Sequence, residues 1–157
     1  MQKPPPVDVL LQALESFTRN VANVLTQPGI DWQRSRGDED WSLTEVICHL
    51  RDVEGEVHQP RFKALIEEDE VFLPGAVADK WVEERNYRAQ NGPVALEDFL
   101  AAREQTLSLL DGLDAEVWQR QGQHAFFGPT TMHELLYLAV QHDEAHWEQI
   151  NQLVDAS

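Results

Sequence analysis

Apolar residues recur every three or four positions in four separate stretches of this chain, a period typical of helices that bury one face. The first stretch runs from Val7 to Leu25. It follows three consecutive prolines and stops before Pro28-Gly29, a dipeptide that breaks helices. A polar loop, residues 30–40, comes next. We therefore predict that the chain opens with an amphipathic helix and a polar connection.

The second stretch opens with a capping box, Ser42-Leu43-Thr44-Glu45, whose side chains can bond backbone N–H groups of the first turn. Its apolar positions continue to Val57. Pro60 is expected to kink or end this helix, because proline lacks a backbone N–H, with residues 61–68 continuing as helix beyond it. From residue 70 to residue 93 no helical period survives, and a loop of that length in a compact domain is often functional.

The third stretch covers residues 94–110, and Asp114 is expected to cap a short extra turn after it. Residues 124–131 are rich in turn-forming residues. The fourth stretch opens with a second capping box, Thr131-Met132-His133-Glu134, and its apolar positions continue to Leu153. No stretch alternates convincingly as a strand would, so we predict no sheet.

Four amphipathic helices, with a longer crossover between the second and the third, predict an all-α fold and a four-helix bundle. The length of 157 residues is typical of one domain, so we predict a single helical-bundle domain over residues 1–157. Facing helices of such bundles commonly build metal sites in the core.

The net charge of the chain limits the classes of partner that it can bind. It has 28 acidic and 12 basic residues, a formal net charge of −16, and its arginines are scattered among acids. Such a surface repels phosphate groups, so we expect no nucleic-acid binding and no docking on anionic membranes. No apolar run approaches the roughly 20 residues of a membrane span. The N-terminal residues lack the pattern of a secretory signal peptide, so we expect a cytoplasmic protein.

Three histidines are candidates for ligands of one divalent ion. His142 and His146 are four residues apart, so on a helix they lie on one face, within or beside its apolar stripe. Buried imidazoles need partners, which either a shared cation or hydrogen bonds at the core boundary would supply. His49, at the margin of the apolar face of another helix, would complete a set of three. Three protein ligands and one open position are typical of catalytic rather than structural metal sites.

Other side chains are candidates for supporting this site. A bound histidine usually donates its second N–H to a neighbouring acceptor. Candidates for such acceptors are Glu45, Asp52 and Glu56 near His49, and Asp143 and Gln149 near the other two histidines. Candidates for the wall of a substrate pocket are Trp81, Arg85, Tyr87, Arg88 and His124. The simpler interpretation, which we prefer for most of these residues, is that they belong to the solvated surface or to ordinary loop packing.

Two further residues are expected to have structural roles. His58 is nine residues after His49, which places it on the opposite side of a straight helix, so we expect it at the surface. Cys48 points away from His49 by about 100° and is expected to be a small buried residue.

Two common metal motifs are excluded. The segment His142-Asp143-Glu144-Ala145-His146 has aspartate where the glutamate of a HExxH metalloprotease must stand. Di-iron carboxylate bundles need Glu-x-x-His pairs, and no glutamate stands three residues before any of the six histidines.

The sequence resembles the DinB/YfiT-like family in three places. Trp41-Ser42 opens a helix that carries His49-Leu50 and Asp52. Phe127-Gly128-Pro129-Thr130-Thr131 leads into the last helix, and His142 to Ile150 is similar to the HDxxHxxQI ending of the family. The resemblance covers nearly the whole chain, and the combination of motifs is specific.

The resemblance implies an up-down-down-up four-helix bundle in which three histidines bind Zn, Ni or a similar divalent ion, one per chain. Carried over by motif, these ligands are His49, His142 and His146. Many members of the family form dimers, so a homodimer is expected. Characterised relatives include S-transferases and isomerases that use a small thiol such as mycothiol or bacillithiol.

Three functions remain open at this point. As an enzyme, the protein would be a metal-dependent small-thiol S-transferase or a hydrolase acting on a small molecule, because a bound ion can activate either a thiol or a water. It could instead be a non-catalytic metal-binding protein of a stress response. The third alternative is a helical interaction module without metal. Family membership alone does not decide between them.

Overall fold

The structure, a computed structural model, describes residues 3–155. Its long elements are α1 Val7–Leu25, α2 Leu43–Val53, α3 Gln59–Glu67, α5 Gly92–Leu110 and α7 Met132–Asp155, with the shorter α4 Trp81–Glu84 and α6 Ala115–Gln119 between them. The strands are β1 Phe72–Leu73, β2 Gln121–His124 and β3 Gly128–Thr131. The single domain expected over residues 1–157 stays a prediction, and its two residues at each end lie outside the described range.

The bundle is formed by four helical segments, α1, α2 with α3, α5, and α7. α1 packs against α5 and α7, while α2 packs against α5 and α7. Both predicted capping boxes are present, Ser42 with Glu45 and Thr131 with Glu134. The prediction of a helical bundle is confirmed, whereas the up-down-down-up order stays a prediction. Among the described residues, no helix combines the length and the apolar character needed to cross a membrane.

The prediction of no sheet is wrong. β2 pairs antiparallel with β3 and parallel with β1, in the order β1-β2-β3. The strands have two to four residues, and the positions of β2 that face inward are Gly122 and His124, so no apolar alternation marks them. A side chain at Gly122 would collide with Leu73, which explains the glycine where two strands approach closely. This sheet holds His124 against the bundle.

The prediction that His58 lies at the surface is also wrong. Between α2 and α3 the helix continues through a π-helical turn, Glu54–His58, in which the backbone N–H of Gln59 bonds the carbonyl oxygen of Glu54. The wider turn changes the rotation of every later residue relative to a straight α-helix. His58 therefore faces the interior beside His142, with ring centroids 5.5 Å apart. Pro60 follows the turn, and the helix continues beyond it without a break.

The core consists of two apolar clusters separated by a polar layer. One cluster gathers residues of α2 with the C-terminal halves of α1 and α7. The other gathers the N-terminal halves of α1 and α7 with α3 and β1. Between the clusters lie the π-helical turn, the middle of α5 and the part of α7 that carries His142 and His146.

A buried ion-pair network occupies the centre of this layer. Arg103 of α5, 1% exposed, bonds both carboxylate oxygens of Asp143 at 2.8 Å and one oxygen of Glu54 at 2.9 Å. Its guanidinium also lies near the rings of Phe17 and Phe99, at 5.5 and 5.2 Å from their centroids. Three segments of the bundle are thus joined through one side chain.

We expect Arg103→Met to lower the free energy of unfolding by about 3–5 kcal/mol, because it leaves two buried carboxylates without a counter-charge. Urea unfolding followed by circular dichroism measures this loss. Arg19→Met is the matched control, since Arg19 is exposed and bonds only Ser16 within residues 3–155. Its effect should stay within about 0.5 kcal/mol. An equally small effect of Arg103→Met would show that the network does not stabilise the fold.

Candidate metal centre

The three candidate histidines converge on one point in the polar layer. Nε2 of His142 lies 3.1 Å from Nε2 of His49 and 3.1 Å from Nε2 of His146. The possible ligand atoms of the three residues all lie within 4.8 Å of one another. Nitrogens bound to a tetrahedral zinc at about 2.0–2.1 Å would be about 3.3 Å apart, so the observed spacing fits one shared ion. The structure thus brings together the residues singled out in the sequence.

The hydrogen bonds of the site agree with a metal-binding role. Nδ1 of His146 donates to Oε1 of Gln149 at 2.8 Å, so the proton of that ring is on Nδ1 and the lone pair of Nε2 faces the other histidines. A single proton on Nε2 of His142 can form a hydrogen bond with only one of its two neighbours, Nε2 of His49 or Nε2 of His146. A cation would satisfy all three nitrogens at once.

Burial keeps these imidazoles neutral, which is the form that binds a cation. It lowers the pKa of His49 to about 3, with further lowering from His146, and the pKa of His142 to about 2, with further lowering from His58. Burial also lowers the pKa of His146. The Trp41 ring stacks nearly parallel to His146, with centroids 6.4 Å apart, and covers one side of the cluster.

The predicted carboxylate neighbours do not bond the three histidines. Glu45 caps α2 and accepts from Arg88, while Asp52 accepts from Arg51, Arg85 and the hydroxyl of Tyr87. Asp143 points away from the histidines into the Arg103 network, where burial raises its pKa to about 6 against the effect of Arg103. Glu56 pairs with Arg85. Among the five neighbours considered in the sequence, the one that accepts from a histidine of the cluster is Gln149.

The predicted pocket residues divide into two groups. The guanidinium of Arg85 lies 4.0 Å from the centroid of the Trp81 ring and pairs with Asp52 and Glu56, outside the cavities that reach the histidines. His124 does line such a cavity, and it is 2% exposed.

Two cavities reach the histidine cluster from different sides. The first, called the apolar cavity below, has a volume of about 450 Å³ and mainly apolar walls. Its lining includes the cluster residues His49 and His142. The other lining residues are Val53, Val57, His58, Arg61, residues 76–79, His124, Phe126, Phe127 and Leu138. The second, about 480 Å³, is more polar and includes Trp41, His146, Gln149 and Arg36. His49, His142 and Asp79 line both, so the cluster is accessible from two directions.

Sequence reasoning missed three residues of these cavities. His58 and Arg61 face the cavity only because of the π-helical turn. In the sequence, the features that could have indicated an irregular turn were Gly55 and Pro60 within a predicted helix. Asp79 lies in the region without helical period, which was expected to be functional but offered no pattern for choosing a residue.

We expect His49→Ala to abolish metal binding, because two imidazoles remain where three converge. Mass spectrometry of the untagged protein should find about one divalent ion per chain in the wild type and none in the variant. His133→Ala is the control, since His133 bonds the Pro5 carbonyl far along α7 from the cluster. Equal metal contents of wild type and His49→Ala would contradict the site.

Gln149→Leu should weaken metal binding by roughly 10- to 100-fold, because it removes the acceptor that fixes the His146 ring. Competition with a chelator, using zinc, measures this change. Gln149→Glu keeps an acceptor and should bind nearly as well as the wild type. Gln152→Leu serves as a control, since Gln152 borders the same cavity but bonds Arg36. Unchanged affinity in Gln149→Leu would exclude this role.

The structure is similar to that of YfiT from Bacillus subtilis, described as "a probable metal-dependent hydrolase with an unusual four-helix bundle topology". The TM-score is 0.81 at 20% sequence identity, over 95% of this chain and 86% of that one. At this identity the likeness shows the fold. No protein with curated annotation matches the chain significantly. The DinB superfamily matches residues 8–150, which is most of the sequence. The chain therefore belongs to the DinB superfamily.

Proposed function

We propose that this protein is a metal-dependent hydrolase of small molecules, with one divalent ion, zinc or nickel, on His49, His142 and His146. The observation that carries the proposal is the convergence of three neutral imidazoles, with no fourth His, Cys, Asp or Glu joining them within residues 3–155. That donor set leaves a coordination position open. A divalent ion bound there would lower the pKa of a bound water to near neutrality and so supply a nucleophile. The description of YfiT as a metal-dependent hydrolase supports this proposal.

The residues around the cluster have definable tasks in such a reaction. His146 is fixed in one tautomer by Gln149, and Trp41 shields the cluster on one side. The carboxylate of Asp79 is exposed and lines both cavities, so it is placed to accept a proton from a nucleophile. The apolar walls of the first cavity exclude water around the substrate, which strengthens electrostatic interactions there.

A second candidate function is thiol transfer, and the presence of two cavities at the cluster supports it. Both reach His49 and His142, so two small molecules could approach the cluster from different sides. The more polar cavity suits a small polar thiol, and the apolar one suits an electrophile. In this case the ion would hold the thiol as thiolate, the form that is nucleophilic.

We expect the zinc-loaded or nickel-loaded protein to hydrolyse p-nitrophenyl acetate, or to conjugate 1-chloro-2,4-dinitrobenzene with a thiol such as bacillithiol. His49→Ala should lower the rate of whichever reaction the wild type catalyses by at least about 100-fold, because the ion supplies several kcal/mol of transition-state stabilisation. Absorbance assays measure both reactions, and circular dichroism verifies that the variant keeps its helices. His133→Ala should keep the wild-type rate.

The outcomes separate the functions considered from the sequence. Turnover without thiol supports the hydrolase, and turnover only with thiol supports the transferase. Equal turnover by the wild type and His49→Ala contradicts a metal-centred reaction. A protein that binds metal but turns over neither substrate favours the non-catalytic metal-binding function. A protein that takes up no metal favours the interaction module.

A further inference from the structure

The apolar cavity is lined by an arginine that forms no ion pair in the described part of the chain. Arg61, near the start of α3, is half-buried, and its Nε is buried without a hydrogen-bond partner among the residues that the structure describes. Nη2 donates to the carbonyl oxygen of Pro74 at 2.9 Å. Within residues 3–155 no carboxylate forms an ion pair with it.

A partly buried arginine without an ion pair is unusual in this chain. Six of the nine arginines pair with a carboxylate, as expected with 28 acidic residues available. The other two without a carboxylate, Arg19 and Arg36, are exposed, so water solvates their charge. Arg61 is partly removed from water without such compensation, and its pKa is lowered by burial. A buried charge of this kind is stabilised when an anion enters the cavity.

His124, which lines the same cavity, carries a second donor. Nδ1 of His124 accepts the backbone N–H groups of Phe126 at 3.0 Å and Phe127 at 3.3 Å. The proton of a neutral His124 ring is therefore on Nε2, which is buried and has no hydrogen-bond partner among residues 3–155. Arg61 lies close enough to His124 to add to the lowering of its pKa by burial. A guanidinium and an N–H group without a partner thus both belong to residues that line one cavity.

We propose that this cavity binds a small organic carboxylate, whose charged end is held by Arg61 and by Nε2–H of His124. Its apolar body would contact Val53, Val57 and Leu138, and its other end would reach His49 and His142. The cavity volume of about 450 Å³ lies within the roughly 300–1,000 Å³ of small-molecule sites. The inference rests on the proposed function, because it names the substrate class of the same site.

A carboxylate fits these donors better than a phosphate does. One guanidinium and one neutral N–H balance a single negative charge, and a guanidinium binds a carboxylate in matching planar geometry. A phosphate dianion would keep an uncompensated charge among mainly apolar walls. Asp79, the one carboxylate in the described lining, is exposed and does not pair with Arg61.

The test compares 4-phenylbutyrate with its neutral analogue 4-phenylbutanamide. Their dissociation constants are measured by NMR titration on the zinc-loaded and on the metal-free full-length protein. Wild type should bind the carboxylate at millimolar concentration or below, and more tightly than the amide. Arg61→Gln should weaken carboxylate binding by roughly 10- to 100-fold, the value of a charge-assisted hydrogen bond, and should leave amide binding unchanged. Retained amide binding also shows that the variant is folded.

Two further variants make the test specific. Arg61→Lys keeps the charge and should bind the carboxylate better than Arg61→Gln does, while Arg19→Gln removes an exposed charge of α1 and should behave as wild type. The proposal is overturned if wild type does not bind the carboxylate, if it binds the amide equally well, or if Arg61→Gln binds the carboxylate as wild type does. The metal-free protein separates this proposal from the proposed function. If it binds the carboxylate more tightly than the amide, and Arg61→Gln loses that preference, the carboxylate site is supported even when no metal-dependent turnover is found.

Discussion

The rest of the structure depends on the pairing of Arg103 with Asp143 and Glu54. A charge removed from water is tolerated only when opposite charges and hydrogen bonds surround it, and this guanidinium has two carboxylates within 2.9 Å. The pair with Asp143 uses two parallel bonds, which fixes the orientation of the groups as well as their distance. The rotation of α7 about its axis is set by this contact. Glu54 extends the constraint to the π-helical turn.

The histidine cluster follows from that rotation. His142 precedes Asp143 by one residue, so it points about 100° away, towards α2 and His49. His146 lies one turn later on the same face and receives its tautomer from Gln149. The side chains of the polar layer therefore have separate tasks. Asp143 fixes the orientation of α7, and His49, His142 and His146 bring three ring nitrogens close to one point. That division explains why the acidic residue beside the cluster is not bonded to it.

The sequence was a good guide wherever local patterns decide the structure. Both capping boxes were predicted and are present, and the spacing of His142 and His146 placed them together on one helical face. The sheet was missed because its inward positions are glycine and histidine rather than a run of apolar residues. His58 was placed on the wrong side because a regular helix was assumed across Glu54–His58. The donors of the apolar cavity depend on contacts between distant segments, such as that of Arg61 with Pro74, which periodicity does not encode.

The π-helical turn has a consequence for comparing this chain with other members of the DinB superfamily. Each residue of an α-helix advances the direction of its side chain by about 100°, so a relative with a regular helix here would have one residue fewer between the positions equivalent to His49 and Arg61. An alignment without a gap at residues 54–58 would then pair Arg61 with a residue on a different face of that helix. Whether two relatives share the lining of this cavity is therefore a question of where one gap is placed, and it has to be answered by superposing structures before residue identities are compared.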